Sequence, residues 1–247
     1  MCATCGCDSQ ETTLHAGHNH THHHHHEHPV DLAEQNILYQ NNLLAERNRG
    51  YLEAKQILAI NLVSSPGSGK TALLERTLRD MSSAFRFSVI EGDQQTSLDA
   101  DRIHATGTKV VQINTGKGCH LDAHMVLHAI QEMQLPEHSI LFIENVGNLV
   151  CPAMFDLGEK ERVVIMSVTE GEDKPLKYPE MFHTSGLCII NKTDLLPYVP
   201  FNLEKAKEYI RRINHQMDVI ELSCLTGEGL AAWYDWLRVR TEAQIPV

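Results

Sequence analysis

Lys70 and Thr71 close the run Ser64-Ser65-Pro66-Gly67-Ser68-Gly69-Lys70-Thr71, a spacing suited to holding a polyphosphate. Glycines let successive backbone N–H groups turn toward phosphate oxygens, an ammonium at Lys70 reaches the β- and γ-phosphates, and the Thr71 hydroxyl can ligate Mg²⁺. Gly67, Ser68, Gly69, Lys70, Thr71 and Ala72 are the expected phosphate contacts. Ser64 stands where the G-x-x-x-x-G-K-[ST] pattern has its first glycine. A plain Gly/Ser turn is the alternative. Against it, the apolar run Ile57–Val63 precedes the loop, and Leu73, Leu74 and Leu78 follow at helical spacing, which is the strand, loop and helix that such a motif requires.

Some 120 residues later, Asn191-Lys192-Thr193-Asp194 follows another apolar run. A carboxylate at Asp194 can accept from both N1–H and the N2 amino group of guanine, whereas adenine offers an acceptor and a hydrogen there. The expected nucleotide is therefore GTP. Ser223-Cys224-Leu225-Thr226-Gly227 resembles the second guanine-contacting loop of GTPases, with Cys224 in the usual alanine position. Two acids at strand ends, Asp93 and Glu144, are candidates for Mg²⁺ and the attacking water, and the Gly147 N–H is placed to sense a γ-phosphate. No glutamine stands out to position water, so slow intrinsic hydrolysis is expected.

A second chemistry accompanies the first. Cys119-His120 opens a predicted helix, with His124 and His128 following so that three imidazoles share one face, and a helix N-terminus would lower the Cys119 pKa. Cys151 follows the Glu144–Gly147 segment, which would give the nucleotide a mechanical handle on a metal. Surface histidines and small core cysteines are the alternative reading. Cys2, Cys5 and Cys7 place three thiolates within six residues beside the α-amino group, a donor set that suits square-planar Ni²⁺ and also Zn²⁺ or Cu⁺. His15, His18, His20, His22 to His26 and His28 form a metal-binding tract.

The elements that must position these groups read as an alternating series. Residues 1–30 hold nine of the sixteen histidines and few aliphatic residues, so they form a disordered metal-binding tail; 31–56 is a connecting helix and 57–247 the GTPase domain. Strands are expected at 57–63, 85–90, 109–114, 139–144, 162–168, 187–191 and 218–223, with helices at 70–82, 97–106, 119–134, 175–185, 202–214 and 228–240. That order predicts an α/β P-loop NTPase fold, a mostly parallel sheet of about seven strands with helices on both faces. A formal net charge of −11 argues against nucleic acid. No apolar span and no signal peptide are evident, and seven cysteines with three crowded together suit thiolate ligands in a reducing compartment, so a cytoplasmic protein is expected.

Several segments together resemble the family of hydrogenase nickel-incorporation GTPases: the terminal Cys2-x-x-Cys5-x-Cys7, the loop Ser64 to Thr71, Glu91-Gly92-Asp93-Gln94-Gln95-Thr96, Asn114 to Ala123, Glu144 to Pro152, Glu170-Gly171-Glu172-Asp173-Lys174-Pro175 and Asn191 to Asp194. The resemblance implies a GTP-dependent metallochaperone delivering nickel to the large subunit of [NiFe] hydrogenase with the partner HypA. It also implies a tight nickel site at Cys2, Cys5 and Cys7, a weaker Ni²⁺ or Zn²⁺ site at Cys119, His120 and Cys151, and a homodimer formed on GTP or metal binding. It adds Asp99 as a switch residue near the attacking water. A nickel store with an incidental GTPase, or the related urease accessory GTPase, are the alternatives; an intact Lys70, Thr71 and Asp194 disfavour the store.

Overall fold

The computed structural model describes residues 29–93, 98–116 and 118–243, the first six of these as helix backbone only. The cysteines at 2, 5 and 7, the histidine tract, and Gln94 to Thr96 lie outside the described residues.

Seven parallel strands form one sheet: β1 (Leu58–Ser64), β2 (Phe87–Asp93), β3 (Lys109–Asn114), β4 (Ile140–Glu144), β5 (Glu161–Ser167), β6 (Leu187–Asn191) and β7 (Asp218–Glu221). Their spatial order is β3-β2-β4-β1-β5-β6-β7. All seven residues of β1 are buried, as are all five of β4 and of β6, because helices cover the central strands on both faces. Edge strands β3 and β7 alternate or thin out in burial.

The helices are α1 (Pro29–Ala54), α2 (Lys70–Met81), α3 (Leu98–His104), α4 (Ala123–Met133), α5 (Cys151–Met154), α6 (Lys174–Lys177), α7 (Pro179–His183), α8 (Leu203–Ile213) and α9 (Leu230–Glu242), with a 3-10 turn at Thr193–Tyr198. The two-residue period of the strands sorts their side chains between faces. Leu58, Ile60, Leu62, Ile140, Phe142, Val163, Ile165, Leu187 and Ile189 join one core with α2, α9 and the buried Trp233. Alternate positions face the other side, where Ala59, Leu141 and Ile143 pack under α1 and α4, and Val164, Met166, Cys188 and Ile190 pack with residues of α7 and α8.

Strand order reverses around β1: the chain leaves β3 at one edge, inserts β4 between β2 and β1, then places β5 on the other flank of β1. Crevices beyond the carboxyl ends of the strands at such a reversal are where α/β sheets bind ligands. Ser64, Asp93, Asn114, Glu144 and Asn191 all end strands there.

Several expected boundaries differ. Strand β2 runs to Asp93 and not to 90, so Glu91 and Gly92 are ladder residues paired with β3 and, for Glu91, with β4. The helix expected at 119–134 starts at Ala123, because the Asp122 side chain caps it by accepting from Met125 N at 2.7 Å. Cys119 and His120 therefore lie in the preceding loop, the helix-dipole argument for Cys119 falls away, and only His124 and His128 of the three imidazoles are helical. Pro179 splits the helix expected at 175–185 into α6 and α7, since its ring cannot continue the ladder of the preceding turn. No helix is long and apolar enough to cross a membrane among the described residues.

Candidate functional site

The loop between β1 and α2 wraps around a cavity of about 470 Å³ lined by Ser65 to Ala72, Glu91, Asp93, Asp99, Arg102 and Gly147, among others. Gly69 holds the turn that starts α2. Its φ of +94° is left-handed, and a Cβ there would fall 2.3 Å from Asn191 Nδ2. That amide donates to Ser68 O at 2.9 Å, while Lys192 Nζ donates to Gly67 O at 2.7 Å. The phosphate loop and the Asn191–Asp194 segment are thereby one unit, although 123 and 125 residues separate the bonded pairs.

A second cavity of about 410 Å³ adjoins the first, sharing Gly69, Ala72 and Lys192 and adding Asn191, Asp194, Ser223, Cys224 and Leu225. Ser223 Oγ donates to Asp194 Oδ1 at 2.5 Å and so orients the carboxylate. Asn191 Oδ1 accepts from Cys224 N at 3.3 Å, tying the second loop to the first. Burial pushes the Cys224 thiol up to about 11, despite the hydrogen bond to Asn191 that lowers it, so this side chain is a neutral wall. The two cavities together have the form of a nucleotide groove, with phosphates over α2 and a base between the two loops.

Acids crowd the phosphate end. Glu144, 1% exposed, accepts from Lys70 Nζ at 2.8 Å and from Thr71 Oγ1 at 2.6 Å through a single oxygen, Oε1. Its Oε2 and the Oε2 of Glu91 are both buried without a hydrogen-bond partner. Burial raises the Glu91 carboxyl to about 8, helped by the charges of Glu144, Asp93 and Asp99 and opposed by Lys70. Orphaned carboxylate oxygens beside a P-loop threonine fit a hard divalent cation, and Thr71, Glu144 and Asp93 are the residues that would hold Mg²⁺. Asp99 opens α3 and pairs with Arg102 at 3.1 Å; Arg102 also meets Glu75 at 2.7 Å. Sequence reading passed over Glu91 and Arg102. Extending the β2 pattern by one residue would have put Glu91 inside the sheet; that it lies beside Glu144 follows from the pairing of β2 with β4.

Glu170 and Lys174 also reach the phosphate loop. Ser68 Oγ donates to Glu170 Oε1 at 2.5 Å and Lys174 Nζ donates to Ser65 Oγ at 2.6 Å.

Cys119, His120 and Cys151 come together as expected, one donor atom of each lying within 4.8 Å of the others. The two sulfurs are 2.8 Å apart, and Cys119 Sγ is 3.7 Å from His120 Nδ1. Burial holds the His120 imidazole below its ordinary pKa, with Asp122 opposing, so the ring is neutral and keeps a lone pair for a metal. Phe155 stacks on that ring at 4.0 Å between centroids and fixes its plane. Two thiols and an imidazole suit Zn²⁺ or Ni²⁺, with one position of a four-coordinate shell left over.

Short links join this corner to the nucleotide groove. Asn145, the residue after Glu144, accepts from Leu121 N at 3.2 Å, and Asn148 Nδ2 donates to Cys119 O at 3.2 Å. Gly147 lies against Pro66 of the phosphate loop, where a Cβ would be 3.2 Å from the proline ring. Gly92 is seated against Leu121 so closely that a Cβ would be 2.8 Å from its side chain.

The nucleotide-binding domain of the CobW/HypB/UreG family matches residues 58–221. The hydrogenase maturation factor HypB of Escherichia coli K12 is 51% identical over 94% of this chain and 81% of its own. Among solved structures, HypB from Archaeoglobus fulgidus superposes with a TM-score of 0.77 at 41% identity, covering 82% of this chain and 99% of the other. HypB from Helicobacter pylori in complex with nickel gives 0.79 at 35% identity, covering 84% and 98%. With a phosphate loop, a base loop and a Cys-His-Cys corner gathered beyond the carboxyl ends of a parallel sheet, this chain belongs to the CobW/HypB/UreG family, on its HypB branch.

Proposed function

We propose that this protein is a GTP-dependent nickel metallochaperone of [NiFe] hydrogenase maturation, one that binds and slowly hydrolyses GTP and carries nickel as cargo. The observation that carries the reading is the Glu144 carboxylate: it meets Lys70 and Thr71 at one end of an eight-residue stretch whose other end is Cys151. Asp194, oriented by Ser223, selects guanine. Mg²⁺ supplies charge neutralisation for the phosphates when bound. Around it, Lys70 draws charge from the γ-phosphate, Asp93 and Asp99 line the space for an attacking water, and Gly147 reports the phosphate to the segment behind it.

Nickel occupies Cys119, His120 and Cys151, with Zn²⁺ as the competing ion, and Cys2, Cys5 and Cys7 hold a second, tighter site. A second copy of the chain covers the corner on GTP or metal binding; Val150 and Met154, both exposed beside Cys151, support that. HypA and the hydrogenase large subunit are the exchange partners, and the cytoplasm is the compartment. Relatives named as hydrogenase maturation factors and a neighbour solved with nickel support this assignment.

The test is titration of a chain lacking residues 1–30 with Ni²⁺ and Zn²⁺, once with GDP and once with a non-hydrolysable GTP analogue. Metal affinity should differ by about 5–150-fold between the two states, and metal should change nucleotide affinity by the same factor. Equal affinities would make the corner structural and leave the terminal cysteines as the delivery site. Loss of hydrogenase activity in cells without the protein, restored by added nickel, is the matching expectation in vivo.

A further inference from the structure

Asn41 and Asn48 lie on one face of α1, and both are buried, at 6% and 0% exposure. Their side chains reach the same two stretches of chain. Asn41 Oδ1 accepts from Ala123 N at 2.9 Å while its Nδ2 donates to Asp156 O at 2.8 Å. Asn48 Nδ2 donates to Ala123 O at 2.9 Å and to Leu157 O at 3.0 Å. The first stretch carries Cys119 and His120; the second carries Cys151 and Phe155, the ring stacked on His120.

These bonds answer a local need. The first N–H groups of a helix have no partner within it, and Ala123 opens α4. The Asp122 side chain takes Met125 N, and Asn41 takes Ala123 N. Asn41 does this with its oxygen alone, which leaves the amide nitrogen free to hold the other stretch. Behind it α1 sits directly on that stretch: Gly158 has a φ of +88°, and a Cβ there would lie 2.6 Å from Ala45 O.

Donors carried on two stretches hold an ion tightly only if the stretches keep their separation. Where the fold fixes that separation in advance, the ordering cost is not charged against the ion. Asn145 and Asn148 hold the loop 118–121 on the side of the nucleotide groove, and α1 holds the corner from the other side.

We propose that Asn41 is a positioning residue of the Cys119/His120/Cys151 site: by bonding Ala123 and Asp156 at once, it sets the span between the two donor-bearing stretches and thereby the affinity and geometry of the bound ion. This rests on the reading of the triad as a metal site and is independent of what GTP does to it.

Co²⁺ binding to the full chain tests it, with Cys2, Cys5 and Cys7 changed to Ser in every sample and free Co²⁺ held by a metal buffer. Thiolate-to-cobalt charge transfer reports the cysteine ligands, whatever histidines bind elsewhere, and the d–d bands report geometry. Asn41→Ala should raise Kd by about tenfold, the low end of what outer-shell partners of metal ligands contribute. It should also alter the d–d bands and leave GTP affinity without metal as in the parent. Asn41→Asp keeps an oxygen for Ala123 N but has no donor for Asp156 O, so it separates bridging from capping; it should weaken Co²⁺ binding as the alanine does, and it decides the matter if the alanine variant does not fold. Leu237→Ala, in the core on the opposite face of the sheet, should lower Tm and leave Kd unchanged. An unchanged Kd in Asn41→Ala, recovery of the parent Kd by Asn41→Asp, or equal weakening by Leu237→Ala would each overturn the proposal and leave the triad standing. A parent without the charge-transfer band, or a band undiminished by Cys151→Ala, would remove the metal site itself and the proposal with it.

Discussion

Around the phosphate loop, bonding partners arrive from three distant stretches of chain: Glu144, the Glu170–Lys174 segment and the Asn191–Lys192 pair, between 73 and 125 residues away. Around the metal corner, the donor-bearing loop 118–121 is tied to the segment after β4 by two side-chain amides, Asn145 and Asn148. One region is cross-braced, so losing a single contact leaves its shape. The other is tied through those two amides to the segment behind β4, so it can shift when that segment moves. A pocket that must recognise one ligand gains from rigidity, and a site that must release its cargo gains from having few restraints.

The largest expected effect falls on the braced side. Asp194→Asn keeps an oxygen for Ser223 but loses the charge that guanine's N1–H and N2 amino group require, and gains a donor for the O2 of xanthine. GTP affinity should drop by about 2–4 kcal/mol while xanthosine triphosphate binding rises. Competition binding with the two nucleotides measures both. Undiminished GTP affinity would remove the guanine assignment and with it half of the comparison.

Next comes pH. The Glu91 carboxyl is raised to about 8 in the fold from an ordinary 4.5, so the folded chain holds a proton there that the unfolded chain has lost. The stability associated with that proton is full below pH 4.5 and lost as pH climbs through 8, with a slope approaching about 1.4 kcal/mol per pH unit in between. Glu91→Gln should flatten that part of the profile in urea unfolding at pH 5, 6, 7 and 8. Mg²⁺ and GTP should bind the parent with release of this proton, seen as a buffer-dependent heat. A profile unchanged by the substitution would show that the crowded acids are relieved in some other way.

The smallest effect sharpens the contrast most. Asn148→Ala removes one strut from the metal corner, a hydrogen bond of about 0.5–1.5 kcal/mol, and touches no nucleotide contact. GTP affinity in the absence of metal should stay as in the parent, while the mutual effect of GTP and metal shrinks by up to about tenfold. If nucleotide affinity falls and the coupling stays, the linkage runs through Gly92 and Leu121 and not through the 144–151 segment.

Much of the site could be read from residue order because its parts are local patterns with a chemical purpose. Gly67 to Thr71 and Asn191 to Asp194 carry their function in four or five consecutive residues, and the apolar runs placed all seven strands to within three residues at either end. Asp122 shows where such reading stops: periodicity extended the fourth helix back to Cys119, but a side-chain oxygen capturing Met125 N begins it at Ala123. Glu91 shows a different limit. Its strand position is a local matter, whereas its protonation depends on Glu144 and Asp93 being brought alongside by the pairing of β2 with β4 and by the turn beyond.

By itself, the sequence determined that a parallel α/β sheet would carry a P-loop, and it marked out the Asn191–Asp194 motif and the candidate metal donors Cys119, His120 and Cys151. Backbone periodicity and short motifs are encoded by neighbours along the chain, so they survive being read in one dimension. Only the tertiary structure decided that Glu144 grips Lys70 and Thr71, that Asn145 and Asn148 hold the metal loop, and that Glu91 is buried among like charges. Those outcomes depend on strand order. By inserting β4 between β2 and β1, the fold sets the ends of three strands side by side, and the energies of the acids and thiols gathered there follow from that proximity and from the water it excludes.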